Sequence, residues 1–395
     1  MADVTVRQVH GQEMLRAMYA MHAYAFGSSP PLRDRAEREE SLLRRQGATH
    51  MAVYEGDEPM ACGASRPLIQ QVRGALYPMA GLLDVTTHPA ARRKGYARKL
   101  LLALLEAVRE GGAACSGLYP FRESFYERLG YVTLPQTKRA RLDPSALQPL
   151  LRRDWGGQVR MLPIEEGYDA YRAFLEGQRQ RVHGMALFEP DDRFEARRNT
   201  QWLALASVGE QVEGVMLYDL RGEQIARYNL RASRFCYRSA VGRYLLLEWI
   251  ARHIDQADRA EIMLPAYERP EGWLADLKLQ IETAGHITPM VRVLDIERMA
   301  GMATGPGAVT VRLADPVCPW NEGAWRLATV DGRLEITRAQ EAQGSLTIQG
   351  FTALAYGTHD PAEFGLRGWG ALDEAAQETL RAMFPLRSPH LHEQF

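Results

Sequence analysis

Cysteine is scarce in this chain. The four residues, Cys62, Cys115, Cys236 and Cys318, lie far apart and form no C-x-x-C pair, which fits a reducing compartment and argues against a structural zinc site. They are expected as small buried apolar residues. Long hydrophobic runs are missing too. No stretch of about 18 apolar residues occurs, and Asp3, Arg7, His10 and Glu13 interrupt the start, so neither a membrane span nor a signal peptide is expected and the protein is read as cytoplasmic. There is no excess of charge of either sign. With 48 basic and 49 acidic residues the net charge is −1, which favours neither nucleic acid nor an anionic membrane surface as a partner. His22, His50, His88 and His183 are scattered without ligand spacing, so no metal or redox cofactor is called for. What remains is an ordinary globular composition, 46% apolar and 25% charged over 395 residues, enough for two or three domains with proper cores.

The most informative stretch runs from Leu82 to Glu110. Leu82 to Thr87 reads as a short strand, Pro89 and the cluster Arg92-Arg93-Lys94-Gly95 as a turn, and Tyr96 onward as an amphipathic helix. Free N–H groups at a helix start, the positive end of its dipole and adjacent arginines together make an anion site, and a diphosphate is the expected ligand. A basic turn before a helix is also a common solvated feature, so the local charge does not decide the matter alone.

Arg92, Gly95 and Ala97 resemble the R-x-x-G-x-G/A loop of the GNAT acetyltransferases, whose backbone amides hold the pyrophosphate of acetyl-CoA. The segment Phe121 to Tyr131 is similar to the F-Y-x-x-x-G-F/Y segment that closes such domains. With its length and its ending, the chain as a whole resembles the Eis-type (enhanced intracellular survival) acetyltransferases. The resemblance implies a mixed α/β (α+β) fold: tandem GNAT-like domains followed by a sterol-carrier-protein-like α+β domain. It implies acetyl-CoA as acetyl donor, held by Val85, Thr86 and Thr87 along the pantetheine arm, by Arg92, Arg93, Lys94, Gly95, Tyr96, Ala97 and Arg98 at the diphosphate, and by Phe121 and Arg122. It also implies a homo-oligomer, commonly a hexamer.

Taken in order, Val4 to Val9 alternates as a first strand and Gly11 to Phe26 carries Met14, Ala17, Met18, Met21 and Ala25 on one helical face. Ser28 to Pro31 breaks that helix, and Arg33 to Arg45 is a charged one. Thr49 to Tyr54 and Met60 to Ile69 form a hairpin. After the Leu82 strand and its helix come Gly111-Gly112 as a stop, a strand at Cys115 to Tyr119 and a helix holding Tyr126. The order β-α-α-β-β-β-α-β-α-β is that of a GNAT fold, and this first domain is placed at residues 1–150.

A second domain, residues 151–290, repeats the outline. Gln201 to Ala206 and Val215 to Asp219 form a hairpin, followed by a strand at Ile225 to Leu230 and a helix containing Leu245, Leu246 and Leu247. Setting those leucines on Leu100, Leu101 and Leu102 places Tyr237 at position 92, Ala240 at 95 and Gly242 at 97. Ala240 cannot easily take a positive φ and its Cβ would crowd a diphosphate, so this domain is expected to lack a cofactor site. From Val291 the texture changes to short strands at Val291–Ile296, Val309–Leu313, Trp325–Val330, Leu334–Thr337 and Ser345–Ile348, a short helix at Ile296–Met302 and an amphipathic helix at Ala371–Phe384. These residues, 291–395, are read as a separate sheet resembling the sterol-carrier-like domain, and no lipid-carrying role follows from that fold.

Acetyl transfer to an amine needs a cradle for the diphosphate, polarisation of the thioester carbonyl, removal of the amine proton and protonation of the leaving thiolate. A tyrosine with pKa about 10 stays protonated at neutral pH and suits a departing thiolate. By the resemblance Tyr126 falls on the family's acid, and the free α-carboxylate of the last residue, here Phe395, falls on its base. Phe395 would anchor the end in an apolar pocket, with Pro385 and Pro389 stiffening the approach. The expected acceptor is a primary amine, an aminoglycoside, polyamine or lysine-bearing peptide, modified by direct transfer. The alternatives are a non-catalytic acetyl-CoA sensor, transfer of another acyl group, or acetylation of protein lysines. Asp34, Glu37 and Glu393 could attract a cation or be solvated charges.

Overall fold

A computed structural model describes residues 3–27, 35–45, 47–190, 200–224, 227–284 and 287–395. The break at Ser28–Pro31, Arg33, Asp34 and Ile225 fall outside the described residues, as does the side chain of Glu37. The chain divides into two compact units. One holds residues 1–134, 183–191 and 287–395, the other residues 135–182 and 192–286. The divisions at 150 and 290 read from the sequence are therefore not those of the folded chain.

The first unit contains the strands β1 (Val4–Gln8), β2 (Thr49–Glu55), β3 (Glu58–Val72), β4 (Ala75–Thr87), β5 (Cys115–Leu118) and β6 (Val132–Thr133), the central ones buried on both faces. The helices α1 (Gly11–Ala25), α2 (Arg35–Leu43), α3 (Tyr96–Glu110) and α4 (Glu123–Glu127) fall between them in the order the sequence implies. Arg73 and Gly74, both at positive φ, make the tight turn of the long β3–β4 hairpin. The sheet order is β1-β2-β3-β4-β5, then residues Met290–Val293, then β6, with Ala186–Phe188 also pairing β3. Leu100, Leu101, Leu104 and Leu105 of α3 pack on one face, and Met14, Ala17 and Met18 of α1 on the other.

Val291 to Ile296 does not belong to a separate sheet. Met290–Val293 pairs antiparallel with β5, and its first two residues pair with β6. A reciprocal arrangement holds in the second unit, where Lys138–Leu142 sits between Ala257–Leu264 and Gln280–Thr283. Each sheet thus takes one strand from the stretch of chain that adjoins the other sheet's last strand, and periodicity within a four-residue strand carries no information about which neighbour it chooses.

The remaining strands of the first unit, Ala308–Ala314, Gly323–Val330, Arg333–Arg338, Gly344–Thr347 and Gly370–Ala371, form a five-stranded sheet. Its core residues Trp325, Phe351 and Tyr356 are continuous with Leu68, Val72, Tyr77 and Met79 of the β3–β4 hairpin. The buried Arg73 guanidinium donates to the carbonyls of Leu354, Ala355 and Pro385. The helix expected at Ile296–Met302 is a single 3-10 turn, Glu297–Met299. Ile348–Tyr356 is a helix that the sequence reading missed, because it is buried nearly all round and shows no one-sided stripe.

The second unit is a seven-stranded sheet with the helix Ala240–Ala251 packed on it through Leu245, Leu246, Leu247 and Ile250. The hairpin Trp202–Val208 with Gln211–Arg221 forms as expected.

Candidate active site

β4 and β5 are parallel and pair only from Met79↔Cys115 to Leu82↔Leu118. Beyond that point β4 runs on to Thr87 while β5 has ended, so the β5-side edge of Leu83–Thr87 is left without a strand partner among the described residues. The gap opens into a cleft of about 710 Å³. β4 also bulges here. Cys62 faces Thr86 and Ala64 faces Leu83, so Gly63 alone opposes both Asp84 and Val85, and Asp84 adopts φ 56. The extra residue reverses the alternation. Val85 joins the α3 side of the sheet, while the Asp84 carboxylate is held on the α1 side by His22 Nε2, 3.0 Å away, and by Arg45. Burial pushes the Asp84 carboxyl up, but the bond from His22 and the charge of Arg45 outweigh it and hold the value below the usual one.

One end of the cleft is the start of α3. Gly95 is its N-cap at φ 83, no side chain caps the helix, and a Cβ at Gly95 would meet nothing within 4 Å. The first intrahelical bond runs from the Lys99 N–H to the Gly95 carbonyl at 3.0 Å, which leaves the amides of Tyr96, Ala97 and Arg98 open. Arg92, Arg93 and Arg98 are exposed and line this end. Lys94 does not line it: its ammonium lies 3.2 Å from Glu55, which also accepts from the Tyr96 hydroxyl at 3.0 Å. The corresponding helix of the second unit is closed. The Ser239 hydroxyl accepts from the Gly242 N–H at 3.1 Å, and a Cβ at Gly242 would strike the Glu213 carbonyl at 2.2 Å.

The other end carries Tyr126, Phe395, Tyr119 and Phe26. Tyr126 is buried to 4% exposure, and burial pushes its phenol up to about 12. Its hydroxyl makes no hydrogen bond among the described residues. Tyr131, by contrast, is tied to the Ser116 hydroxyl at 2.8 Å. The Phe395 ring packs edge-on against Tyr119 and Phe188, and the Tyr119 hydroxyl donates to the Glu393 carbonyl at 2.9 Å. Upstream, the His390 N–H donates to the His183 carbonyl and the Arg387 N–H to that of Gly357. Of the site residues named from the sequence, Val85, Thr86, Thr87, Arg92, Arg93, Gly95, Tyr96, Ala97, Arg98, Phe121, Tyr126 and Phe395 meet in this cleft, and Lys94 and Arg122 do not line it. Asp84, Tyr119 and Phe26 were missed. A lone acid between Leu83 and Val85 was the available signal for the first.

Residues 5–134 match the acetyltransferase (GNAT) domain family and residues 296–392 the sterol carrier protein domain family. The first match places a GNAT acetyltransferase domain at residues 5–134. An uncharacterized N-acetyltransferase of Streptomyces avermitilis is 23% identical over 72% of this chain and 73% of its own. Among solved structures, a GCN5-related N-acetyltransferase from Anabaena variabilis aligns with TM-score 0.87 at 18% identity, covering all of both chains. Eis1 from Mycobacterium abscessus aligns with TM-score 0.78 at 16% identity, again covering all of both. These structural likenesses show a shared fold. GNAT domains take acetyl-CoA as donor, and the open helix start and unpaired strand edge fit such a ligand. Among the described residues no group of three or more His, Cys, Asp or Glu side chains could hold a metal ion, and no helix is long and apolar enough to cross a membrane.

Proposed function

We propose that this acetyltransferase moves an acetyl group from acetyl-CoA to a primary amine by direct transfer, with Tyr126 as general acid and the carboxylate of Phe395 as general base. The observation that carries the reading is the Tyr126 hydroxyl, without a hydrogen-bond partner among the described residues and held protonated by burial, in the same cleft as the uncapped start of α3. When bound, acetyl-CoA supplies the acetyl thioester. The amides of Tyr96 to Arg98 and the guanidinium groups of Arg92, Arg93 and Arg98 would hold its diphosphate, and the open edge of Leu83–Thr87 its pantetheine amides.

The amine lone pair forms the new C–N bond as the C–S bond breaks. Tyr126 gives its proton to the departing sulfur, the carboxylate of Phe395 takes the proton of the amine, and return of that proton to the phenolate restores both groups. The Phe395 ring and the Tyr119 bond to the Glu393 carbonyl hold the last residues at the cleft. Thiol release from acetyl-CoA on adding primary amines tests the reading. Release is expected in wild type and is expected to be nearly lost both in Tyr126→Phe and in a chain extended past Phe395. An extended chain of full activity would remove that carboxylate from the mechanism, and binding of acetyl-CoA without release by any amine would leave a sensor.

A further inference from the structure

Among the described residues the acceptor end of the cleft is apolar, and the terminal carboxylate of Phe395 is its one unbalanced negative charge. Tyr119, Phe121, Phe125, Phe26, Leu83 and the Phe395 ring line it, with Phe26 and Phe121 presenting 59% and 75% of their surface. Among the described residues Asp84 contributes the one carboxylate side chain in the lining, and both its oxygens are engaged, one by His22 and the other by Arg45. Arg45 balances its charge. The three arginines of the lining lie at the α3 start, where they face the donor's diphosphate.

An acceptor with several ammonium groups would have to bring each one that enters the apolar end out of water. Only one could be matched, by the proton-accepting carboxylate at Phe395, and every further ammonium would lose hydration with no partner. An acceptor with one amine and an apolar body avoids that cost, because its single charge is removed by the reaction itself while its body covers exposed aromatic surface.

We propose that the acceptor is a small apolar primary monoamine of the arylalkyl or alkyl class, and not a polyamine or aminoglycoside. The proposal rests on the acetyl-transfer reading above. Phe26 is the specificity-determining residue: it stands at the end of α1 with its ring against His22, 4.6 Å between centroids, on the side of the cleft that holds Asp84.

The test compares thiol release with phenethylamine, hexylamine, spermidine, an aminoglycoside and a lysine peptide on the full chain, alongside calorimetry with acetyl-CoA. The expected result is kcat/KM for the two monoamines at least about tenfold above the other three. In Phe26→Glu the ratio of phenethylamine to spermidine is expected to fall by about tenfold or more, since a charge facing the acceptor discriminates by repulsion and attraction, with acetyl-CoA affinity unchanged. Equal or better use of spermidine, the aminoglycoside or the peptide by wild type overturns the proposal while leaving acetyl transfer standing. Acetyl-CoA binding with no release by any amine overturns both. A Phe26→Glu protein of unchanged ratio removes Phe26 from selectivity.

Discussion

The Phe395 ring occupies the space in which a side chain at Gly81 would stand. A Cβ there would come within 2.9 Å of Cε2 and 3.0 Å of Cζ of that ring, and within 2.7 Å of Leu68 Cδ1. Gly81 lies on β4 opposite Gly117, where the two strands are still paired, so its backbone has no freedom to retreat. Gly81→Ala is expected to push the ring aside and carry the terminal carboxylate with it. Turnover should fall by about 10²-fold, the scale of an ångström-sized misplacement, with acetyl-CoA affinity held within a few-fold. Steady-state kinetics beside calorimetry checks this, and unchanged kcat would show that the tail's position is not needed.

Gly95 sets the opposite end. At φ 83 with nothing within 4 Å of a virtual Cβ, a valine would meet no protein atom but would strain the backbone by about 1–2 kcal/mol and stand where a diphosphate approaches the amides. Gly95→Val should abolish measurable acetyl-CoA binding while the thermal midpoint falls only slightly. Wild type should bind one acetyl-CoA per chain, because Ser239 and the Glu213 carbonyl close the second helix. Two sites by titration would contradict this.

Tyr126→Phe should lower kcat by about 10² to 10⁴ with the Michaelis constant for acetyl-CoA nearly unchanged, since the hydroxyl acts on the leaving sulfur. The phenol sits at about 12 because it is buried. The pH–rate profile of wild type should therefore show no alkaline limb from Tyr126 up to about pH 11, and a limb near 10 would mean that the hydroxyl is more solvated than its surroundings indicate.

Stability should fall as the pH drops from 6.5 towards 4. Burial, reinforced by Arg73 and Arg387, lowers His183 to about 4 despite its bond to the Tyr356 carbonyl, and burial with Arg45 lowers His50 to about 4. Between the two values the unfolded chain holds protons that the folded chain refuses, so this stability is complete above 6.5 and is lost as pH falls through that window. For His183 the full shift corresponds to about 3 kcal/mol. Its ring accepts from the Arg73 N–H through Nδ1, and its own carbonyl holds His390, so protonation should loosen the tail. Denaturant titrations at several pH values check the slope, which His183→Gln should flatten.

The fold was legible wherever a segment is half buried. A stripe such as Leu100, Leu101, Leu104 and Leu105 declares its helix because the other side faces water. Ile348–Tyr356 was not legible, since a segment buried all round carries no period. The end of the cleft at the α3 start was readable from Arg92 and Gly95, which are close in sequence and line it together. The acceptor end was not, because it depends on a bulge that turns Asp84 toward α1 and on a tail that reaches β4 from 300 residues away in sequence, roughly the separation of Gly81 and Phe395. The notion of Phe395 at the site came from the resemblance, and Gly81, its steric counterpart, carries no motif.

The reciprocal strands have a consequence for biosynthesis. When the ribosome has delivered β1 to β6, β5 still lacks the neighbour that separates it from β6, because Met290–Val293 is more than 150 residues away along the chain. The nascent segment up to Leu134 therefore carries an unpaired edge beside the future cleft until Met290–Val293 has been made, and a fragment ending near Leu134 would keep that edge for good. Such an edge recruits other strands. Expression of the isolated amino-terminal segment should give aggregates where the whole chain gives an enzyme, because the sheet that carries the cleft is complete only once Met290–Val293 has been added.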